Sequence, residues 1–384
     1  MAACHAGRVS RGPAQNHRRS PKRRRAPRGP SVVGQRFEVE VGPVAHGGHC
    51  VARVDGRAVF VRHALPGERV VVEVTEGTEG DRFWRADAVE VLAASAHRVP
   101  APCPVAGPGG CGGCDLQHVE VAHQRELKAA VVAEQLRRVA GLDVEVTVEA
   151  VPGDVDGLRW RTRQRYARLP DGRTAMRKHR SHDLVPVEDC LIDAHRPPAT
   201  TVHDVGFEVA EGGFWQVHPG APTALVDAVL EALDPQPGES ALDLFAGVGL
   251  FSRFLLERVG DAGRVVAVEG EPAAARLIGV NAPGAEALTG DVAATLAGAD
   301  VAPEVDLVVL DPPRVGARRE VVEAVVARRP RAVAHVACDP AALARDVALF
   351  AEHGYRLDGL RALDLFPMTH HVECVARLVP GGRS

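Results

Sequence analysis

Between residues 241 and 346, five short apolar runs each end in a chemically useful residue. Ala241-Leu242-Asp243-Leu244 runs into the glycine-rich Phe245-Ala246-Gly247-Val248-Gly249. Arg264-Val265-Val266-Ala267-Val268 ends on Glu269, and Leu288-Thr289-Gly290 ends on Asp291. Val305 to Leu310 ends on Asp311, and Val333-Ala334-His335-Val336-Ala337 ends on Cys338. Strands that alternate with helices build an α/β unit with a parallel, doubly wound sheet, and such sheets place ligands beyond the carboxyl ends of their strands.

The last run is the most informative. Asp339 is a good N-cap, and Pro340 suits the first helical position, so the pattern predicts a helix running through Asp346. Cys338 then lies at a strand end against the positive end of a helix, which favours thiolate over a thiol whose unperturbed pKa is about 8.5. Two readings stand at this point, a nucleophile and a buried structural cysteine. The carboxylate of Asp339 beside Cys338 opposes ionisation unless it is paired.

With 384 residues, 46% apolar and 25% charged, the chain has room for two or three domains and a sizeable core. No run approaches the roughly 18 apolar residues of a membrane span, and the N-terminus has no apolar signal core, so a cytoplasmic location without a membrane partner is expected. Residues 1–30 carry nine Lys/Arg and no Asp/Glu; the formal charge of −4 therefore leaves about −13 on the rest. That composition predicts a disordered basic arm that attracts RNA or DNA, or else a merely solvated tail.

Residues 31–94 alternate apolar and polar residues in four runs, beginning at Phe37, Gly56, Arg69 and Trp84, with Gly, Pro and Asp between them. This predicts a small β-barrel of the oligonucleotide-binding kind. Residues 95–206 form the next unit. Leu127, Val131, Leu136 and Val139 have helical spacing and predict a helix over 124–139. If the run from Arg159 to Tyr166 is a strand, Arg159, Arg161, Arg163 and Arg165 share one face. They would then meet a phosphate backbone, or serve as a solvated edge.

Eight cysteines at uneven spacing in a long chain argue against a disulfide framework. Cys103, Cys111-Gly-Gly-Cys114 and a downstream Cys190 instead have the pattern of a metal site. Four thiolates suit zinc or an iron–sulfur cluster equally.

The glycine turn has Ser252 where a dinucleotide fingerprint wants a third glycine, and no Lys-Ser/Thr follows it, so it is not a P-loop. The order Asp243-x-Phe245-x-Gly247-x-Gly249, with Glu269 at the next strand end, resembles class I S-adenosylmethionine-dependent methyltransferases. Asp311-Pro312-Pro313-Arg314 resembles the Asp/Asn-Pro-Pro motif of nucleic-acid methyltransferases. A cysteine one strand away is needed when the target is a pyrimidine C5, because thiolate addition at C6 makes C5 nucleophilic and a base must later remove the C5 proton.

Taken with Phe214-Trp-Gln216-Val217, Cys338-Asp-Pro-x-x-Leu-Ala-Arg-Asp346 and Phe366-Pro-x-Thr369-x-His371-Val-Glu373, residues 34–380 resemble the RNA uracil-5-methyltransferases. The likeness is to the branch with an RNA-binding TRAM barrel and an iron–sulfur cluster that acts on 23S rRNA. The resemblance implies Cys338 as nucleophile and Glu373 as base, with Phe214 stacking on a flipped uracil and Arg314 orienting it beside Asp311. It implies a cofactor site of Gln216, Phe245, Gly247, Gly249, Glu269, Asp291 and Asp311, and a 4Fe-4S cluster on Cys103, Cys111, Cys114 and Cys190, with zinc as the alternative. The implied division is a TRAM domain (31–94), a central cluster domain (95–206) and a catalytic domain (207–384) in a monomer. Transfer RNA is the second candidate substrate. The alternatives from other classes are an iron–sulfur oxidoreductase on a dinucleotide fold and an inactive RNA-binding module.

Overall fold

The computed structural model describes residues 29–154, 156–299 and 301–382; the basic stretch at residues 1–28 lies outside them. The first unit holds β1 (Arg36–Glu40), β2 (Val44–Ala45), β3 (His49–Val54), β4 (Arg57–Arg62), β5 (Arg69–Glu76) and β6 (Phe83–Ala93), in the sheet order β1-β5-β6-β4-β3-β2. Alternation does the folding. Val70, Val72 and Val74 of β5 turn inward to meet Val59, Val61 and Trp84, while the residues between them face out. Four of these strands lie where the alternating runs predict them. β3 follows Gly47-Gly48, and the short pairing of β2 with it gives too little pattern to read from sequence.

Glu68 closes this unit onto the next. Its fully buried carboxylate accepts from Leu65 N, Ser95 N and both Nε and Nη2 of Arg98. Burial opposes ionisation, and the Arg98 guanidinium with these backbone donors outweighs it and holds the carboxyl below its usual range.

α1 (Val121–Gln135) continues as a π turn, Leu136–Ala140, and together they cover the helix expected over 124–139. β7 (Val148–Ala150) follows. A small sheet, β10-β9-β8, is built from β8 (Ala167–Arg168), β9 (Thr174–Arg177) and β10 (Leu184–Pro186), and β11 (Thr201–Val202) pairs with β12 (Val205–Gly206). The arginine strand expected at 159–166 does not form. Arg159 has φ 55°, which breaks the alternation, and Trp160 is buried at 1% exposure. The guanidiniums are occupied by the protein itself: Arg159 pairs with Asp189, Arg161 Nε donates to the Arg163 carbonyl, and Arg163 donates to Gly212 and Gly213. Arg165 is exposed, so the four arginines do not share one strand face.

The largest sheet adds to β7 the strands β13 (Ser240–Leu244), β14 (Arg264–Glu269), β15 (Glu286–Thr289), β16 (Leu307–Leu310), β17 (Ala332–Ala337), β18 (Tyr355–Asp364) and β19 (Glu373–Pro380). Its eight strands run β15-β14-β13-β16-β17-β19-β18-β7. The five strands read from the sequence are parallel, as expected; β19 adds an antiparallel strand between β17 and β18. Helices α2 (Ala221–Leu233), α3 (Leu250–Val259), α4 (Pro272–Asn281), α5 (Val292–Ala297), α6 (Arg318–Val326) and α7 (Pro340–Glu352) cover the sheet. Period two divides the core: Leu242, Leu244, Val308 and Leu310 pack on one face, Ala241, Leu307, Val309 and Ala334 on the other. α1 and β7 join this core through Val132, Leu136 and Val148.

Lys128 of α1 is fully buried and donates to Asp364 Oδ1 at 2.5 Å and to the Phe366 carbonyl at 3.1 Å. Removing one partner of such a pair typically costs about 3–5 kcal/mol, so this contact fixes α1 to the end of β18. Among the described residues no helix is long and apolar enough to cross a membrane.

Candidate active site

The carboxyl ends of the parallel strands put the candidate residues in a row. Glu269 ends β14, Phe245 follows β13, Asp311 follows β16 and Cys338 follows β17. The order of strands reverses between β13 and β16, the switch point at which open sheets bind ligands. Glu373 enters the row from the opposite direction, as the first residue of β19. Ala337 pairs with Cys374 across the antiparallel ladder. Cys338 is the next residue beyond Ala337 and Glu373 the one before Cys374, and the Glu373 carboxylate is close enough to act on the Cys338 thiol.

Asp339 caps α7, accepting from Ala342 N at 2.8 Å. Its other oxygen accepts from His46 Nε2 at 3.1 Å. The charge beside Cys338 is therefore paired, by a residue of the β2–β3 turn. This contact holds Asp339 below its usual carboxylate range, although burial pulls the other way, and raises His46.

The helix N-terminus does not leave Cys338 ready as a thiolate. Burial first, then the Glu373 carboxylate, pushes its thiol up to about 12, with Asp311 adding to the rise and Arg314 opposing it. Glu373 is held well above its usual range by burial and then by Asp311, again against Arg314. Burial, and secondarily Asp243, pushes Asp311 up to about 7. The site is thus a row of acidic groups, buried at Glu373 and half-buried at Asp311 and Cys338, with the exposed Arg314 beside it.

The glycine turn forms a cradle. Gly247 and Gly249 have φ of 55° and 90°, and no atom lies within 4 Å of where a Gly247 Cβ would sit. Phe245, with φ 64°, is in the left-handed region without a glycine's freedom. Asp243 is completely buried; Oδ2 accepts from Ser252 N at 2.9 Å and Ser252 Oγ at 2.6 Å, while Oδ1 has no partner. The Ser252 that rules out a dinucleotide fingerprint is thus a structural partner of Asp243. Glu269 accepts from Gly247 N at 2.8 Å and Glu271 N at 2.6 Å, which orients its carboxylate over the turn. Asp291 caps α5 through Ala294 N. Phe214 is 67% exposed, an unusual setting for a phenyl ring, while neighbouring Trp215 is buried and Gln216 is half-buried.

A family profile for the TRAM domain matches residues 30–89, and one described as tRNA (Uracil-5-)-methyltransferase matches residues 296–379. A Streptomyces avermitilis protein named as an uncharacterized RNA methyltransferase is 44% identical, over 91% of this chain and 100% of its own length. A 23S rRNA (uracil(1939)-C(5))-methyltransferase from Shewanella sp. is 30% identical, over 86% of this chain and 93% of its own. The chain belongs to the RNA uracil-5-methyltransferase family. It is an S-adenosylmethionine-dependent RNA uracil-5-methyltransferase, and its fold agrees. The tRNA (uracil-54, C5)-methyltransferase of Pyrococcus abyssi, solved with S-adenosyl-L-homocysteine, superposes with a TM-score of 0.65 at 22% identity, covering 88% of this chain and 99% of that one.

In this methyltransferase Cys103, Cys111, Cys114 and Cys190 line one pocket, together with Gln117, Gln164 and Met176. All four are free thiols. Gln164 Nε2 donates to Cys190 Sγ at 3.5 Å and Gly113 N to Cys111 Sγ at 3.4 Å. Burial pushes the Cys114 thiol up to about 12 and raises Cys111, to which Cys190 and Cys103 add. Among the described residues no set of three His, Cys, Asp or Glu is gathered tightly enough for a single metal ion.

His46 is a residue of this site that motif reading misses. For Asp346, which closes the cysteine motif, it misses the partners: its buried carboxylate accepts from His335 Nε2 at 3.0 Å and from Ala317 N at 2.7 Å. It thereby ties β17 to the far end of the loop that carries Asp311 and Arg314. The motif spacing marked Asp346 as part of the pattern, with no hint of its partner.

Proposed function

We propose that Cys338 adds to C6 of a uracil flipped out of 23S rRNA and that Glu373 removes the proton from C5. The observation that supports this reading is the Ala337–Cys374 register, since Cys338 and Glu373 are the residues next to that pair at the ligand edge of the sheet. The Cys338 thiol gives its proton to solvent as the sulfur bonds to C6, the electrons of the C5–C6 double bond move toward O4, and C5 becomes nucleophilic. The bound S-adenosylmethionine supplies an electrophilic methyl group, and Gln216, Phe245, Gly247, Gly249, Glu269, Asp291 and Asp311 would hold it. The partnerless Asp243 Oδ1 and the open space over Gly247 fit such a ligand. Glu373 then takes the C5 proton, the double bond re-forms and the C6–S bond breaks. Arg314 balances charge on the enolate, and the exposed Phe214 ring stacks on the flipped base. Flipping costs a few kcal/mol, drawn from contacts to the RNA backbone.

The rRNA assignment rests on the Shewanella relative, matched over 93% of its length. Transfer RNA is the second reading, favoured by the description of the profile over residues 296–379. Nucleoside mapping of both RNAs from a strain lacking the gene is expected to show 5-methyluridine lost at a 23S position. Loss from tRNA alone would transfer the proposal to tRNA.

We further propose that Cys103, Cys111, Cys114 and Cys190 hold a 4Fe-4S cluster. In such a cluster each thiolate binds a different iron, so four sulfurs around a common pocket suffice where a single ion would need them to converge. Neutral buried thiols of this kind ionise when metal binds. Protein purified without oxygen is expected to carry iron and acid-labile sulfide in equal amounts; zinc without iron would overturn the assignment.

A further inference from the structure

The loop that delivers Glu373 is fastened by the residues just after Cys114, together with Gln124 and Lys128 of α1. Asp115 N and Leu116 N both donate to the Met368 carbonyl, at 2.9 and 3.0 Å. Met368 N in turn donates to Gln124 Oε1 at 2.8 Å, and Gln124 Nε2 returns to the Leu116 carbonyl. Met368 itself has φ 65°, so the loop is held in a conformation it would not choose unaided. The buried Asp115 carboxylate makes the most specific contact. Its Oδ2 accepts from His370 N at 3.2 Å and His370 Nδ1 at 2.6 Å, and its Oδ1 accepts from Arg62 Nη2 of β4 at 3.4 Å. Gly48 closes the other side: a Cβ there would lie 2.9 Å from His370 Cβ and 3.0 Å from Asp115 Cγ. Three parts of the chain therefore meet at one carboxylate. His370 is three residues before Glu373, and Asp115 is one residue after Cys114.

We propose that Asp115 and His370 are positioning residues for the proton-abstraction step: their bond sets the path of the chain into β19 and so the aim of the Glu373 carboxylate. The inference rests on the reading of Glu373 as the base and goes beyond it. It gives the cysteine turn a task in the reaction that involves no electron transfer. Any group bound by the four cysteines would stiffen the turn that Asp115 extends. Neither Asp115 nor His370 touches the reacting atoms, so formation of the Cys338–C6 bond does not depend on them. What depends on them is the second half of the reaction. There the C5–H bond breaks, its electrons restore the C5–C6 double bond, and the sulfur leaves C6 as thiolate.

The test measures how enzyme-bound RNA divides between covalent adduct and released methylated product. Asp115→Asn keeps the size and one acceptor; His370→Ala removes the partner at a half-buried position. Each is expected to lower kcat about tenfold, the order of effect of a small misplacement of a reacting group, with KM for RNA little changed. Each is also expected to raise the trapped-adduct fraction severalfold on denaturing gels. A purely structural role would lower adduct and product together. Such a parallel loss in both variants, or an unchanged division in both, overturns the proposal. Glu373→Gln is run alongside: if it turns over without trapping, the base assignment has failed; if it traps and the other two variants do not, only the positioning role has failed.

Discussion

Glu373→Gln is expected to trap the enzyme on its RNA. The amide keeps the shape of the side chain and cannot accept the C5 proton, so addition and methyl transfer proceed and elimination stalls. Turnover should fall by on the order of 10²–10⁴, the usual contribution of a positioned base, while a protein–RNA species survives denaturing electrophoresis. The pH dependence follows from the environment of the residue. Burial and Asp311 hold Glu373 protonated well above the ordinary carboxylate range, so elimination should accelerate with pH up to that raised value. In the amide variant this rise should vanish. Free turnover by the variant would place the base elsewhere.

Cys338→Ala is expected to abolish product and adduct alike, by at least about 10³-fold, since without the sulfur no electron density reaches C5. The double variant with Glu373→Gln should also form no adduct, which distinguishes a bond to Cys338 from trapping by another thiol, Cys374 being the adjacent one. In enzyme without RNA the thiol is pushed up to about 12. Alkylation of Cys338 should therefore be slow at neutral pH and rise about tenfold per pH unit until that value is approached. Fast alkylation at neutral pH would show that the acidic neighbours do not govern the sulfur. Methylation by Cys338→Ala would end the covalent proposal.

Much of this molecule can be read from local pattern. The cap at Asp339, the strand ends at Glu269 and Cys338, and the inward valines of β5 each follow from a few neighbouring residues. Pairings over long separations do not. Nothing in the residues around Cys338 says that β19 runs antiparallel beside it, yet that register alone brings Glu373 into place. The arginines at 159–165 show the opposite failure. Their spacing fits a strand, and the acidic Asp189 that claims Arg159 is thirty residues away. The same holds for the thiol of Cys338. Sequence supplies the helix dipole that favours ionisation; burial and the two carboxylates that outweigh it appear only when β16, β17 and β19 are assembled. His46 is the clearest case, since a histidine in a glycine turn of a separate barrel has no local reason to answer the charge at Asp339.

The position of β19 has a bearing on biosynthesis. The strand lies between β17 and β18, both of which precede it in the chain, so neither can take its final neighbour on that side until residues 373–380 join them. A chain stopped before Glu373 does not lose an edge; it is left with two facing rows of unpaired amides, the geometry that invites sticking to another chain. Glu373, the base of the proposed reaction, is also the first residue of the segment that fills this slot, so a sheet without that segment also lacks that carboxylate.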